Sequence, residues 1–341
     1  MRPKRSATTI QDVARAAGVS VTTVSRVLNN KDDVAPETYD SVRRVIEELN
    51  YTASLAAKGM RSRKTNVLGL VVPDVVETFH IEVIKGIGRA IRDFGYDLII
   101  YTSGTRPLSS RASWEQEHVA LLSGGLTEGN IVVTPSAPAF PDASRIVVID
   151  PQGDGTNVPS VIARNRVGAM AAMEYLIGLG HCRIGFIGGR PDALSAARRF
   201  AGYQDGLAAA GIPFDPDLVQ GGDYTQERGR AAARELLDRP NRPTAIFAAN
   251  DKTALGVMDV AQELGLRIPQ DLSLVGFDNL PEAAQVHPQL TTVDQSIQEM
   301  GYLATKMLVS MLQGEELGSP LCKVPTRLII RESCQAVGSH E

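Results

Sequence analysis

At 341 residues the chain is too long for one ordinary hydrophobic core, so two or three domains are expected. Its 43% apolar and 22% charged residues are ordinary for a globular protein, and no apolar run reaches the roughly 18 residues of a membrane span. The net charge of −4 speaks against nucleic acid only if taken whole: residues 1–66 hold 12 Lys/Arg against 7 Asp/Glu, a basic head on an acidic body.

The opening MRPKRSATTI is basic but is followed by no apolar core segment, so it does not read as a secretory signal and a cytoplasmic location is expected. The cysteines, Cys182, Cys322 and Cys334, are odd in number and lack CxxC or Cys/His spacing. They read as reduced thiols, with no metal and no cofactor expected.

Residues 9–50 read as three short helices. The first is capped by Thr8 or Thr9 and runs to Gly18, whose freedom to adopt positive φ suits a tight turn. Ser20 caps the second, VTTVSRVLN, and Pro36 opens the third, which places Val42, Val45, Ile46 and Leu49 on one face. Two short helices across a glycine turn make a helix-turn-helix, with Val13, Val19, Val24 and Val27 as its shared core. The second helix then exposes Val21, Thr22, Thr23, Ser25 and Arg26 for the major groove. Arg26 suits guanine O6/N7, Val21 or Thr22 a thymine methyl or base edge, and Ser20, Thr23 and Ser25 suit phosphates. Residues 52–66, TASLAAKGMRSRKTN, are small and basic and read as a linker that becomes helical only in a complex.

From Val67 the pattern alternates. The predicted order is strand VLGLVVP, helix 80–94, strand YDLIIYTS, helix 113–124, strands NIVVTP and RIVVID, helix 167–179, strand RIGFIGG and helices 195–210 and 225–237. Strand AIFAAN, helix 251–264, strand LSLVGFD and helix 296–313 complete it. Such alternation predicts largely parallel sheets with helices on both faces, and its length predicts two lobes about a cleft. Ligands of such folds sit beyond the carboxyl ends of the strands, where this chain has Pro73–Asp74, Asp150, Asn250–Asp251 and Asp278–Asn279. Carboxylates and amides there suit a hydroxyl-rich ligand. Asp251 reads as a helix cap with Asn250 the ligand contact, His181 as a structural histidine, and the Gly188–Gly189 pair as a turn.

TIQDVARAAGVSVTTVSRVLNN closely resembles the DNA-binding head of the LacI/GalR family of transcriptional repressors. The resemblance implies base reading by Val21, Thr22 and Arg26, a backbone-proximal Asn29, and a DNA-contacting set that includes Thr9. It also implies that the stretch Ala53–Arg61 is a hinge helix, paired across a dimer through Ala56 and Ala57, with an apolar wedge in the minor groove at Met60 where the family has leucine. The usual Asn-Pro after the tyrosine is absent: Tyr51 is followed by Thr52, Ala53 and Ser54. Further markers, LGLVVPD, EYLIGLGHCRIGFIGG, ARRFAGYQDGL, AIFAANDKTALGVMDVAQELGLRIPQDLSLVGFDN and LTTVDQ, extend the likeness to about residue 332. They imply an all-α helix-turn-helix head on an α/β two-lobed body of the periplasmic-binding-protein type, with crossovers near 163–166, 290–295 and 324–327.

The domains so implied are 1–51 for the head, 52–66 for the hinge and 67–341 for effector binding and dimerisation. Lobe 1 takes about 67–164 and 292–325, and lobe 2 about 165–291 and 326–341. The effector set implied is Phe79, His80, Asp150, Ser195, Arg199, Tyr224, Asn250, Asp278 and Gln295. A homodimeric repressor on a near-palindromic double-stranded operator, released by a sugar inducer and without a membrane partner, is expected. A corepressor-dependent regulator answering to a purine or other small metabolite is the alternative. A transport solute-binding protein would need an export signal and has no such head, and no GxSxG, Walker or dinucleotide motif argues for an enzyme.

Overall fold

The computed structural model describes residues 8–28, 31, 33–51, 65–104, 106–140, 145–153 and 158–338. The chain divides into two compact units, residues 1–65 and 66–341.

In the first unit α1 (Ile10–Ala17) starts at a reciprocal cap: Thr9 Oγ1 accepts from the Asp12 amide and Asp12 Oδ2 accepts from the Thr9 amide. Gly18 closes it at φ +66°, where a Cβ would be strained, and its N–H returns to the Ala14 carbonyl. The turn delivers Ser20, whose Oγ accepts from the Thr23 amide at 3.1 Å at the start of α2 (Val21–Leu28). Pro36 occupies the first turn of α3 (Pro36–Glu48). Val13, Ala14, Val24, Val27 and Val42 form the buried centre of the three helices, with Val19, Val45, Ile46 and Leu49 packed around it.

The second unit holds two sheets of six strands each among the described residues. The first is built from β1 (Val67–Val72), β2 (Asp97–Thr102), β3 (Gly129–Val133), β4 (Ile146–Ile149), β5 (Ser160–Ala163) and a late strand, in the order late strand-β5-β4-β3-β1-β2. All its pairings are parallel. One face carries α4 (Thr78–Phe94), the other α5 (Leu108–Ser123). The chain then crosses to α6 (Asn165–Gly178), β6 (Ile184–Ile187), α7 (Leu194–Ala209), β7 (Val219–Gln220), α8 (Gln226–Leu237), β8 (Ala245–Ala248), α9 (Asp251–Glu263), β9 (Ser273–Asp278) and β10 (Thr291–Asp294). It returns to the first lobe as α10 (Ile297–Leu312) and β11 (Leu321–Val324), the late strand, and ends in the second sheet as β12 (Arg327–Ile329). The second sheet runs β12-β10-β9-β8-β6-β7 and is parallel except where β12 meets β10.

Each sheet is apolar on both faces, as a parallel sheet covered by helices must be. The helix pairs that cover it approach through glycine. A Cβ on Gly86 of α4 would lie 1.8 Å from the Gln298 carbonyl of α10, and one on Gly256 of α9 would lie 2.4 Å from the Gln226 carbonyl of α8. Among the described residues no helix is long and apolar enough to cross a membrane.

Two expectations need correction. The second crossing falls after Asp294, because β10 pairs with β9 through Thr291–Val275 to Asp294–Asp278; residues 292–294 therefore belong with the second sheet and not with lobe 1. The helix expected over 113–124 begins at Leu108, directly after Pro107, whose fixed φ of −57° leads into it. β5, β7, β10, β11 and β12 are not predicted by periodicity; each is four residues or fewer and lacks the apolar run that marks the equally short β4, β6 and β8.

Candidate functional site

The two sheets open their carboxyl ends onto one cavity of about 410 Å³. In each sheet the strand order reverses at this end, between β1 and β3 in the first and between β6 and β8 in the second, which leaves a crevice between diverging connections. All nine residues expected to contact an effector line it: Phe79, His80, Asp150, Ser195, Arg199, Tyr224, Asn250, Asp278 and Gln295.

Backbone strain marks the same place. Thr134 after β3, Asp150 after β4, Tyr224 and Asp278 at the end of β9 all line the cavity with φ between +43° and +114°. For non-glycine residues such conformations cost roughly 1–3 kcal/mol each and persist where the surroundings over-determine them.

Arg199 stands at the centre. It is buried, with its guanidinium 3.8 Å from the Phe277 ring centroid and 5.6 Å from that of Tyr224. Nε donates to Asn165 Oδ1 at 2.9 Å, Nη1 to the Ala249 carbonyl and to Asp278 Oδ1 at 3.2 Å, and Nη2 to Gln295 Oε1 at 3.4 Å. Four of its five N–H groups are thus engaged, and one on Nη2 remains. The residue fixes the site's other members more than it reaches out to a ligand. Gln295 Nε2 also donates to Asp278 Oδ1, at 2.6 Å, so Asp278 Oδ2 is left without a partner among the described residues. Across the cleft Ser195 Oγ donates to Asp150 Oδ2 at 3.1 Å and leaves Asp150 Oδ1 open. Two carboxylate oxygens, one from each lobe, are therefore available as acceptors.

These carboxylates are poorly solvated. Burial pushes the Asp278 carboxyl up to about 7, with the Asp150 charge adding to the rise against the pull of Arg199. Asp150 is likewise raised by burial, with Arg199 and Ser195 opposing. At the first lobe's rim the order reverses. Although burial pushes Asp74 up, His80 and the Glu77 and Val76 amides bring its carboxyl down to about 2. His80 Nδ1 lies 3.1 Å from Asp74 Oδ2.

Three sequence readings change. Asn250 is the helix cap: its Oδ1 accepts from the Thr253 amide, while Nδ2 donates to the Tyr224 carbonyl at 3.1 Å. Asp251 is no cap. It is fully buried, accepts from the Leu280 amide and the Thr292 hydroxyl, and ties the start of α9 to the β9–β10 connection. Gly188–Gly189 is not a turn: neither residue has positive φ, and a Cβ on Gly189 would meet the Tyr224 ring at 2.2 Å. The glycine is a clearance for that ring. His181 is structural as read, its ring nitrogens meeting Thr244 Oγ1, Ser273 Oγ and the Gln335 carbonyl. Arg111, Arg190, Lys252 and Gln152 also line the cavity and were not anticipated. Arg190 follows β6, so the strand-end rule would have reached it, whereas Arg111 on α5 carries no such signal.

In the head, Thr22 and Arg26 are exposed on α2, and Ser25 and Thr23 are half-buried. Val21 is half-buried and packs against the helical core, so only part of its side chain is open to a base. Ser20 Oγ is spent on the cap and on Thr23 Oγ1, and Thr9 on its own cap. Arg26 Nη1 lies 3.3 Å from Asp33 Oδ2, both side chains more than half exposed. Asn29, Ala57, Met60 and the hinge stretch 52–64 lie outside the described residues.

Residues 9–54 match the model described as bacterial regulatory proteins, lacI family, and residues 173–334 match a periplasmic binding protein-like domain. Catabolite control protein A of Priestia megaterium is 33% identical over 333 residues, covering 95% of this chain and 98% of that protein. Among solved structures, a transcriptional regulator CelR–cellobiose complex is 31% identical with a TM-score of 0.69, covering 96% of this chain and 99% of that one. The lac repressor dimer bound to operator and the anti-inducer ONPF is 26% identical with a TM-score of 0.81, covering 97% and 100%. With an α2 that presents Thr22 and Arg26, a two-lobed body and full-length relatives of this kind, the chain belongs to the LacI family of bacterial DNA-binding transcriptional regulators.

Proposed function

We propose that the protein is a homodimeric repressor that holds a near-palindromic operator through residues 1–51 and a hinge at 52–66, and that a sugar bound between the lobes of 67–341 releases it. The observation that carries the ligand half is the pair of open carboxylate oxygens, Asp150 Oδ1 and Asp278 Oδ2, facing one cavity from opposite lobes beside Phe79 and Tyr224. Paired acceptors bind vicinal hydroxyls, and an aromatic ring covers a sugar's apolar face. A ligand that engages both lobes prefers the closed cleft, and that difference in affinity is what moves the hinges. The CelR–cellobiose complex supports a saccharide ligand for a protein of this fold, and the lac repressor structure supports a dimer on operator.

Base reading falls to Thr22 and Arg26, with Val21 offering a partial methyl contact. The Arg26–Asp33 pair is exposed, so it costs little to break when the guanidinium turns to guanine. Arg26→Ala is expected to weaken binding to an operator selected from random oligonucleotides by about 1–3 kcal/mol while changing affinity for random DNA far less. An equal loss on both, measured by fluorescence anisotropy at one salt concentration, would remove Arg26 from base reading.

Gly189→Ala tests the cleft. The new methyl displaces the Tyr224 ring, so the variant is expected to bind the effector sugar about tenfold or more weakly at an overpacking cost of about 1–3 kcal/mol in stability. Calorimetric titration and a thermal melt check both. Unchanged affinity would mean that Tyr224 does not contact the ligand.

A further inference from the structure

We propose that the sugar is an anionic one, a carbohydrate whose carboxylate or phosphate is seated on Arg111 of the first lobe and Arg190 of the second. The proposal rests on the sugar reading above and narrows it. Arg111 projects from α5 to line the cavity, yet its guanidinium makes no hydrogen bond or ion pair among the described residues. Its Nε is shielded from solvent and has no acceptor among the described residues. A donor N–H withdrawn from water without an acceptor is costly, and proteins rarely leave one so unless something else completes it.

The carboxylates whose charge reaches Arg111 are bonded to other donors. Glu115, one turn along α5, accepts from the Ser136 and Ala137 amides, each at 2.8 Å. Asp192 is clamped by Arg190, whose Nε and Nη2 donate to its two oxygens at 3.0 and 2.8 Å, and it also takes Gln152 Nε2 at 3.1 Å across the cleft. Among the described residues that leaves Arg190 Nη1 uncommitted and the Arg111 fork without a hydrogen bond. Both guanidiniums line the cavity and bear on Glu115 and on Asp192, so the two cations lie near one another.

The backbone adds to this. The first turns of α4, α7, α8 and α9 all contribute lining residues: Phe79, Ser195, Gln226 and Lys252. Four positive helix ends therefore border the cavity and favour negative charge within it. In the same cavity the open oxygens of Asp150 and Asp278 take hydroxyls. One ligand that satisfies both is a polyol with an acidic group, and charge-assisted bonds to a guanidinium are roughly twice as strong as neutral ones.

The test is calorimetric titration of the full chain with matched sets: glucose, glucuronate and glucose 6-phosphate, and the corresponding galactose series. In at least one set the acidic member is expected to bind about tenfold or more tightly than its neutral parent. Glucuronate-type and phosphate-type members distinguish a carboxylate from a phosphate. Arg111→Gln should bring that acid-to-neutral ratio close to one, Arg111→Lys should restore part of it, and Arg190→Gln should reduce it independently. Equal weakening of neutral and acidic members by Arg111→Gln would overturn the proposal and make Arg111 a lobe-closing residue that meets Asp192. Binding by neutral members alone would overturn it while the sugar reading stands; binding by none would overturn both.

Discussion

Arg199→Ala is expected to destabilise the body by about 3–5 kcal/mol at pH 8 and by clearly less at pH 5. The substitution removes a buried cation from beneath Phe277 and Tyr224 and strips Asp278 and Asp150 of the charge that holds them ionised. With the guanidinium gone, both carboxyls rise above the elevated positions they already hold. A carboxyl whose pKa is higher in the folded than in the unfolded state binds its proton more tightly when folded. Stability is then present at low pH and is lost as pH rises through the folded pKa. At pH 5 Asp278 is neutral, and the loss there is chiefly the missing hydrogen bonds to Asn165, Ala249 and Gln295. At pH 8 an uncompensated buried negative charge is added. Urea unfolding followed by circular dichroism at the two pH values measures the difference. Equal losses at both would mean that Arg199 serves by packing against Phe277, not by its charge.

The prominence of this cluster explains what the amino-acid sequence made legible. Strands end where a run of buried apolar residues stops, and the next polar residue must lie at a sheet rim; that logic alone reaches Asp150, Asn250 and Asp278. The resemblance to a family adds Ser195, Tyr224 and Gln295, which sit on helices and loops where no period singles them out. It also adds Arg199, but as a donor to ligand, whereas the neighbours it gathers consume all but one of its N–H groups. The cap falls to Asn250 and not to Asp251 for a reason the sequence does not carry. Both are good caps, and the choice is made by Thr292 and Leu280, which meet Asp251 from β10 and from the loop that follows β9. Gly189 reads as a turn until the Tyr224 ring, 35 residues further on, is seen to occupy the space of its missing Cβ. Arg111 lies just before the helix predicted over 113–124, and only the fold places it on that helix and brings it to the cleft. In the head nearly everything is local: caps, turn and core lie within α1 to α3, so three short helices and their order were readable directly.

Asp278→Asn is expected to abolish the response to ligand and, at the same time, to make the unliganded body more stable above neutral pH. Asparagine keeps an oxygen where Asp278 Oδ1 accepts from Arg199 and from Gln295, so the hydrogen-bond frame survives. What is lost is the charge. Burial has already pushed that carboxyl up to about 7 in the face of Arg199, which means its ionised form is less favourable here than in water. In the wild type this makes stability fall as pH climbs from the ordinary carboxylate range through 7, since the folded state there holds more protons than the unfolded one. The variant should lack that slope. It should gain about 1–3 kcal/mol over wild type at pH 8 and little at pH 5, a gain typical of replacing a residue kept for function rather than stability. The loss of response follows from the same change: a carboxylate oxygen that accepts two hydroxyls becomes an amide N–H that accepts none. Paired melts at pH 5 and 8, and operator release titrated with the sugar that shifts the wild-type melt, measure the two effects separately. A variant less stable at pH 8 would show that the Arg199–Asp278 attraction outweighs the burial of its charge. A variant that is more stable yet fully released would place the ligand's hydroxyls on Asp150 alone.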